Sequence, residues 1–338
     1  MKILVPVEDP FFAVCVVDFI NHHEWPAKTE FVVMHVIEPF YLDESQQLTF
    51  APLLKISPKS VIEEASSMVS AVSQAINNAH PNATVTQEVV ESEVVGQIKH
   101  VAHSWHADLV IMGSHGRSGF NHFFLGSVAL ELASELQTPL LLIKPDRKTL
   151  KASDEFQFTK VTHASFQMSL DKLALARKPS RIFIALDETE LSTQIINFCL
   201  KHKWEKQAEF KLFSTVDDRR FGFMPESTRV KVLEKLVKEQ QSKLSLYEAM
   251  LNEQLSPQAV SIGVEHGAPR KNLIVTSTTW GADLLVVGNH VKKSGTSALC
   301  GVAMASLCAA PCSVLLIKER PKQTRSVAMQ KAQVAVTK

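Results

Sequence analysis

Ala107-Asp-Leu-Val-Ile-Met112 leads directly into Gly113-Ser-His-Gly116, and after nine intervening residues the chain reads Gly126-Ser127. Near the carboxyl end the pattern returns in reduced form. There Ala282-Asp-Leu-Leu-Val-Val287 is followed by Gly288-Asn-His-Val291 and, at the same spacing, Gly301-Val302. Each copy is a short apolar run ending in a glycine-bearing turn. Continuous apolar runs of this length read as strands covered on both faces.

The repetition extends outward from these turns, and internal repeats decide the fold before any single element does. Ile3-Leu-Val-Pro-Val-Glu-Asp-Pro10 matches Ile182-Phe-Ile-Ala-Leu-Asp-Glu-Thr189, each followed by a helical pattern, Phe12–Phe19 and Leu191–Leu200. Phe31–Ile37 and Phe210–Val216 are rich in β-branched and aromatic residues and read as second strands. Long helices follow at Ser57–Ala79 and Pro225–Glu253. The second carries Val230, Leu233, Val237, Leu244, Tyr247 and Leu251 at helical spacing, which predicts one buried face. Thr84–Val90 and Ala259–Val264 are third strands; Leu140–Lys144 and Val314–Lys318 are the last.

Strands alternating with helices predict an α/β chain of two tandem doubly wound domains, each a five-stranded parallel sheet flanked by helices. The expected boundaries are 1–146 and 179–319. Residues 147–178 form a linker with a short helix near Ser169–Ala176, and 320–338 a tail expected to be disordered. An uncovered edge strand invites aggregation. The two last strands, Leu140–Lys144 and Val314–Lys318, are therefore expected to lie antiparallel in an intramolecular pseudo-dimer; homodimerisation of the whole chain stays open.

Composition excludes several classes. The 338 residues carry a net charge of +1, so no global field favours nucleic acid. No apolar run approaches the roughly 18–20 residues of a membrane span. Met1–Val7 turns acidic at Glu8-Asp9, so no cleaved leader is expected. Five loosely spaced cysteines argue against a disulfide framework and for a reducing cytoplasm. Cys308-x-x-x-Cys312 reads as small buried residues rather than a metal site.

The glycine turn leaves the carboxyl end of a strand, where doubly wound sheets bind ligands. Gly113 and Gly116 can adopt positive φ and let the backbone approach a ligand without Cβ clashes. Gly126-Ser127 opens a helix whose free N–H groups favour an anion. The Ser127 hydroxyl can meet a phosphate or cap the helix, and Arg117 adds planar cationic donors. The turn is neither a P-loop nor a dinucleotide loop. By itself it fits phosphate binding or plain backbone packing.

The whole arrangement resembles the universal stress protein family: Gly-x-x-Gly, nine residues, Gly-Ser, an Ala-Asp-Leu strand before and Pro139-Leu-Leu-Leu-Ile-Lys144 after. The opening Ile3-Leu-Val-Pro-Val7, His35-Val36 and Gly267-Ala-Pro269 belong to the same resemblance. It implies ATP bound by Gly113, Gly116, Gly126 and Ser127, with Arg117, Val128 and Met112 beside them. The base would lie against Pro6, Val7 and Val36, and Mg²⁺ would be held mainly by the phosphates. Glu8 stands where the family usually has Asp. In the second repeat Val291 and Val302 replace a glycine and the serine, so ATP binding is expected in the first domain alone.

His115 and His290 occupy matching turn positions and read as locally bonded residues or as catalytic groups, although no nucleophile with an orienting acid is legible. Asp108 and Asp283 read as strand-opening turn residues. Phe120, Phe123 and Phe124 either close over a ligand or cover the sheet. The expected function is a stress-response protein that binds ATP and acts through unidentified protein partners, with at most slow hydrolysis. A nucleotide-independent scaffold and an adenylate-forming enzyme are the alternatives.

Overall fold

A computed structural model describes residues 1–39, 58–114, 125–145, 161–173, 180–204, 207–254, 260–290 and 299–319. The first half contains β1 (Lys2–Pro6), α1 (Pro10–Asn21), β2 (Glu30–Ile37), α2 (Pro58–Ala79), β3 (Thr84–Glu91), α3 (Val94–Ser104), β4 (Leu109–Gly113), α4 (Ser127–Glu135) and β5 (Leu140–Ile143). After α5 (His163–Leu173) the second half repeats the order. It contains β6 (Arg181–Ala185), α6 (Glu190–Lys201), β7 (Glu209–Val216), α7 (Glu226–Asn252), β8 (Val260–His266), α8 (Pro269–Trp280), β9 (Leu284–Asn289), α9 (Gly301–Ala309) and β10 (Ser313–Lys318).

The strands form one ten-stranded sheet in the order β3-β2-β1-β4-β5-β10-β9-β6-β7-β8. Pairing is parallel within each half. At the centre β5 and β10 run antiparallel, with Leu142 opposite Val314 and Leu140 opposite Leu316. The expected pairing of the two last strands is therefore present.

Side chains alternate across the sheet. Ile3 and Val5 join a core with α1, α2, α6 and α7, while Leu4 faces a second core with α3, α4, α8 and α9. Both cores cross from one half into the other. Coverage on both faces is why β1, β4 and β5 carry uninterrupted apolar runs.

The linker helix starts earlier than the Ser169–Ala176 expectation. Thr162 Oγ1 accepts from the Ser165 amide at 3.2 Å, and Ser165 Oγ accepts from the Thr162 amide at 2.9 Å. This reciprocal cap fixes the start at His163. Phe166 and Leu170, one turn apart, are buried against α1 and α2, so the segment packs on the first half. Residues 174–179 and the 320–338 tail lie outside the described residues.

On α7 the expected apolar face holds at Leu233, Leu244 and Leu251, but Val230 is 46% exposed. A helix of 27 residues spans about 40 Å. An eight-residue strand such as β7 spans about 26 Å. The opening turns of α7 therefore have no sheet beneath them. Gln240 is buried on this face instead and donates to the Glu188 carboxylate.

The halves also meet through a repeated Phe-x-x-x-His-x-Trp at the ends of α1 and α6. Phe19 stacks on His23 and Phe198 on His202, and the Trp25 and Trp204 indoles donate to Ile20 and Cys199 carbonyls. His23 lies edge-on to Trp204, 5.8 Å between ring centres.

Two lysines cross the central seam. Lys144, just after β5, donates Nζ to the Ala310 carbonyl at 3.1 Å, at the end of α9. Lys318, ending β10, donates to the Ala133 carbonyl in the last turn of α4. Each half thus supplies a cation to the negative end of the other half's helix. Among the described residues no helix is long and apolar enough to cross a membrane.

Burial pushes both ammonium groups down from 10.5 to about 8. Between those values the unfolded chain binds more protons than the folded one, so stability rises with pH from about 8 upward. Above about 9, opposing ionisation of the unfolded cysteines begins, because Cys199 and Cys312 are pushed up to about 12 when folded. Melting temperature is expected to rise between pH 8 and 9, and the double variant Lys144→Met/Lys318→Met to lose that slope. Thermal unfolding followed by circular dichroism reads both.

Candidate functional site

Each half changes the direction of strand connection between its first and fourth strands, β1 and β4 in one and β6 and β9 in the other. Beyond the carboxyl ends of those strands lies a crevice of about 420 Å³ in each half. This is the place and size at which doubly wound sheets take small molecules, about 300–1,000 Å³.

The first crevice is lined by Pro6, Val7, Glu8, Val36, Met112, Gly113, Gly126, Ser127 and Val128. Gly116 and Arg117, the remaining expected site residues, lie outside the described residues, as do His115, Phe120, Phe123 and Phe124. Residues not anticipated also line it, among them Asp9, Phe12, Glu38 and Ile98. Asp9 Oδ1 accepts from the Phe11 and Phe12 amides at 2.9 and 3.1 Å, starting α1. Buried His35 holds the Val7 carbonyl through Nδ1 at 2.8 Å, tying the end of β2 to the end of β1.

Gly113 departs from its expected role. It is not among the positive-φ glycines. A Cβ at Gly113 would lie 2.7 Å from the Phe12 Cβ, so the missing side chain lets α1 sit close on β4. Gly288 repeats this, with a Cβ falling 2.5 Å from Leu191 Cδ2. Gly126 has φ −60° and ψ 149°, ordinary extended backbone, and is the N-cap of α4. Ser127 is therefore the first helical residue rather than the cap.

The amino end of α4 opens into this crevice without a side-chain cap among the described residues. Its first-turn N–H groups form the positive end of a helix dipole.

The second crevice is lined by Asp187, Glu188, Ser192, Thr215, Arg220, Gln240, His290, Cys300 and Val302, over an apolar floor including Phe213 and Val287. Here the helix start corrects the sequence register. The N-cap of α9 is Cys300, and its first helical residue is Gly301. Cys300 thus occupies the place of Gly126, Gly301 that of Ser127, and Val302 that of Val128. Equal glycine spacing alone sets Val302 against the serine.

The amino end of α9 is engaged by the chain itself. Cys300 Sγ accepts from the Ala303 amide at 3.4 Å, and Asn289 Oδ1 accepts from the Cys300 amide at 2.8 Å. A side chain at Gly301, such as the serine of the first half, would collide with the Arg270 guanidinium. Val291 lies outside the described residues.

At the mouth of this crevice His290 Nε2 stands 2.6 Å from Asp187 Oδ2, and Nδ1 3.5 Å from Glu319 Oε2. Burial opposes ionisation of Asp187, but hydrogen bonds from His290 and Thr189 outweigh it and hold the carboxyl at about 2. The Asp187 hydrogen bond raises His290 above its ordinary 6.5 despite partial burial. The local-bonding reading of His290 is the one this geometry supports.

Asp108 and Asp283 act as strand-opening residues. Asp108 Oδ2 accepts from the Lys2 amide at 2.8 Å, and Asp283 Oδ2 from the Ser180 and Arg181 amides at 3.0 Å. All five cysteines are free, and among the described residues no His, Cys, Asp and Glu cluster is placed to hold a metal ion.

Comparison with known proteins matches the family model described as "Universal stress protein family" to residues 1–144 and 179–318. A universal stress protein from Archaeoglobus fulgidus DSM 4304 has a similar solved fold. It shares 16% identity at TM-score 0.55, covering 95% of this chain and 97% of that one. A functionally unknown protein from Pseudomonas aeruginosa PAO1 superposes at TM-score 0.50 and 13% identity, covering 100% and 97%. A curated universal stress protein from Mycolicibacterium smegmatis is 46% identical over 39 residues, 12% of this chain and 13% of that relative's length.

Two outcomes test the site's construction. Gly113→Ala is expected to cost about 1–3 kcal/mol through overpacking against Phe12, read by urea unfolding. The His290 imidazole is expected to titrate above 6.5 by NMR, and Asp187→Asn to bring it back toward that value. Stability from this pair is present between the two titrations. It falls away as pH drops through 3.8 toward 2, and as pH rises through the His290 value.

Proposed function

The chain belongs to the universal stress protein family, and from that premise we propose that its first domain, residues 1–146, binds ATP while the second, 179–319, does not. The output of the bound state is a change in protein contacts rather than a chemical product.

The observation that carries this reading is the difference between two helix ends. In the first crevice the amino end of α4 has no side-chain cap among the described residues, and Ser127 projects from its first turn. An anionic phosphate there would satisfy N–H groups and meet the positive dipole end together. In the second crevice Cys300 Sγ caps the corresponding end of α9 by accepting from the Ala303 amide, whereas the N-cap amide is bonded in both halves, to the Ser114 carbonyl in the first and to Asn289 Oδ1 in the second. Volume does not separate the two crevices, since both measure about 420 Å³.

Glu8 and Glu38 also line the first crevice. Carboxylates so close to a triphosphate favour a nucleotide that arrives with Mg²⁺, whose ligands would be mainly phosphate oxygens. The base would rest on Pro6, Val7 and Val36, with Met112, Gly113, Gly116, Arg117, Gly126, Ser127 and Val128 around the ribose and phosphates.

One observation favours the alternative, a nucleotide-independent scaffold. Gly113 is accounted for by its packing on Phe12, so that glycine needs no ligand.

Calorimetry with Mg-ATP separates the two. The intact chain is expected to bind one ATP. Ser127→Asp is expected to weaken binding at least tenfold, because a carboxylate enters the phosphate position, while favouring the helix itself by about 0.3–1 kcal/mol. No heat from the intact chain would favour the scaffold, and unchanged affinity in the variant would move the site away from the amino end of α4.

A further inference from the structure

The crevices are linked by a continuous series of contacting groups. Helix α4 presents its amino end to the first crevice and its carboxyl end to Lys318, whose ammonium donates to the Ala133 carbonyl. Lys318 is buried and closes β10. The next residue, Glu319, donates its amide to the Asn289 carbonyl at 3.2 Å and holds its carboxylate 3.5 Å from His290 Nδ1. The other nitrogen of His290 is bonded to Asp187, and both side chains line the second crevice.

We propose that nucleotide occupancy of the first crevice is transmitted through α4 and Lys318 to the Asp187–His290–Glu319 contact, so that the first domain sets the state of the second crevice. This inference rests on the ATP reading above and names its regulatory output.

Three features support it. First, α4 has only nine residues, so its two ends act on one short dipole: an anion at the amino end and the Lys318 cation at the carboxyl end each favour the same alignment. Second, Lys318 is held on both sides. Its backbone lies in β10 opposite Asn289 of β9, and its side chain enters the other half. A movement of α4 therefore reaches the end of β10 without crossing solvent.

Third, the two contacts of His290 differ in strength. The Asp187 contact at 2.6 Å is a formed hydrogen bond, whereas 3.5 Å to Glu319 is the limit of one. A shift of a few tenths of an ångström in Glu319 makes or breaks the second contact. A matching link runs the other way, from the end of α9 at Ala310 to Lys144 beside β5.

The test pairs calorimetry with NMR on the full chain, using Mg-ATP. In the intact protein ATP is expected to release heat and to shift the His290 ring resonances and the Asn289 amide. In Lys318→Met, which keeps most of the apolar stem, ATP is expected still to bind while those shifts are lost. Glu319→Gln alters the last link outside the buried seam and is expected to lose the ring shift too, which covers failure of the Met variant to fold. Heat with no shift in the intact chain, or shifts that persist in both variants, would overturn the coupling and leave ATP binding standing. No heat at all would remove the ATP reading and the coupling with it.

Discussion

The antiparallel contact of β5 with β10 is the constraint on which the rest of the molecule depends. Each half is an open parallel sheet whose last strand would otherwise present bare N–H and C=O groups. Leu140–Leu142 against Val314–Leu316 removes both edges at once, and the two cores then run through the seam. The crossed lysines bind the halves further, since each ends a helix of its neighbour. Burial lowers the proton affinity of both. Their contribution is therefore better understood as fixing the relative placement of the halves than as adding stability.

Much of this was legible in the sequence because it depends on periodicity. Strands covered on both faces must be continuously apolar, and the order of runs and helices then restricts topology to few choices. What escaped depends on contacts between distant residues. The linker helix is set by a Thr162–Ser165 cap and by the burial of Phe166 and Leu170 on α1 and α2. The Phe-x-x-x-His-x-Trp repeat was visible as letters, but its meaning lies in His23 meeting Trp204 across the seam.

The site was legible in outline and misread in two particulars. Gly113 in its turn suggests backbone freedom near a ligand, yet it serves helix packing on Phe12, and Gly288 does the same on Leu191. A glycine reports only that a Cβ is unwelcome; which neighbour excludes it is a tertiary fact. The second concerns register. Equal glycine spacing aligned Gly126 with Gly301, whereas the helix starts align Gly126 with Cys300. The Cys300 amide bond to Asn289 and the Sγ contact to the Ala303 amide define that start, and neither is encoded in spacing.

The equal volumes of the two crevices carry a further consequence. Both floors are built on strands of one sheet joined at β5 and β10, so enlarging or closing one crevice by moving strands would disturb the seam shared with the other. Helix ends are under no such restriction. Exchanging Gly126 for Cys300 and Ser127 for Gly301 alters a few hydrogen bonds at one terminus and leaves Ala129 and Ala303 equally buried beneath. A duplicated chain locked by a common sheet is therefore expected to diverge first at these termini, where a change in what is bound has little effect on the fold. The open end of α4 and the self-capped end of α9 are the form that such divergence takes here.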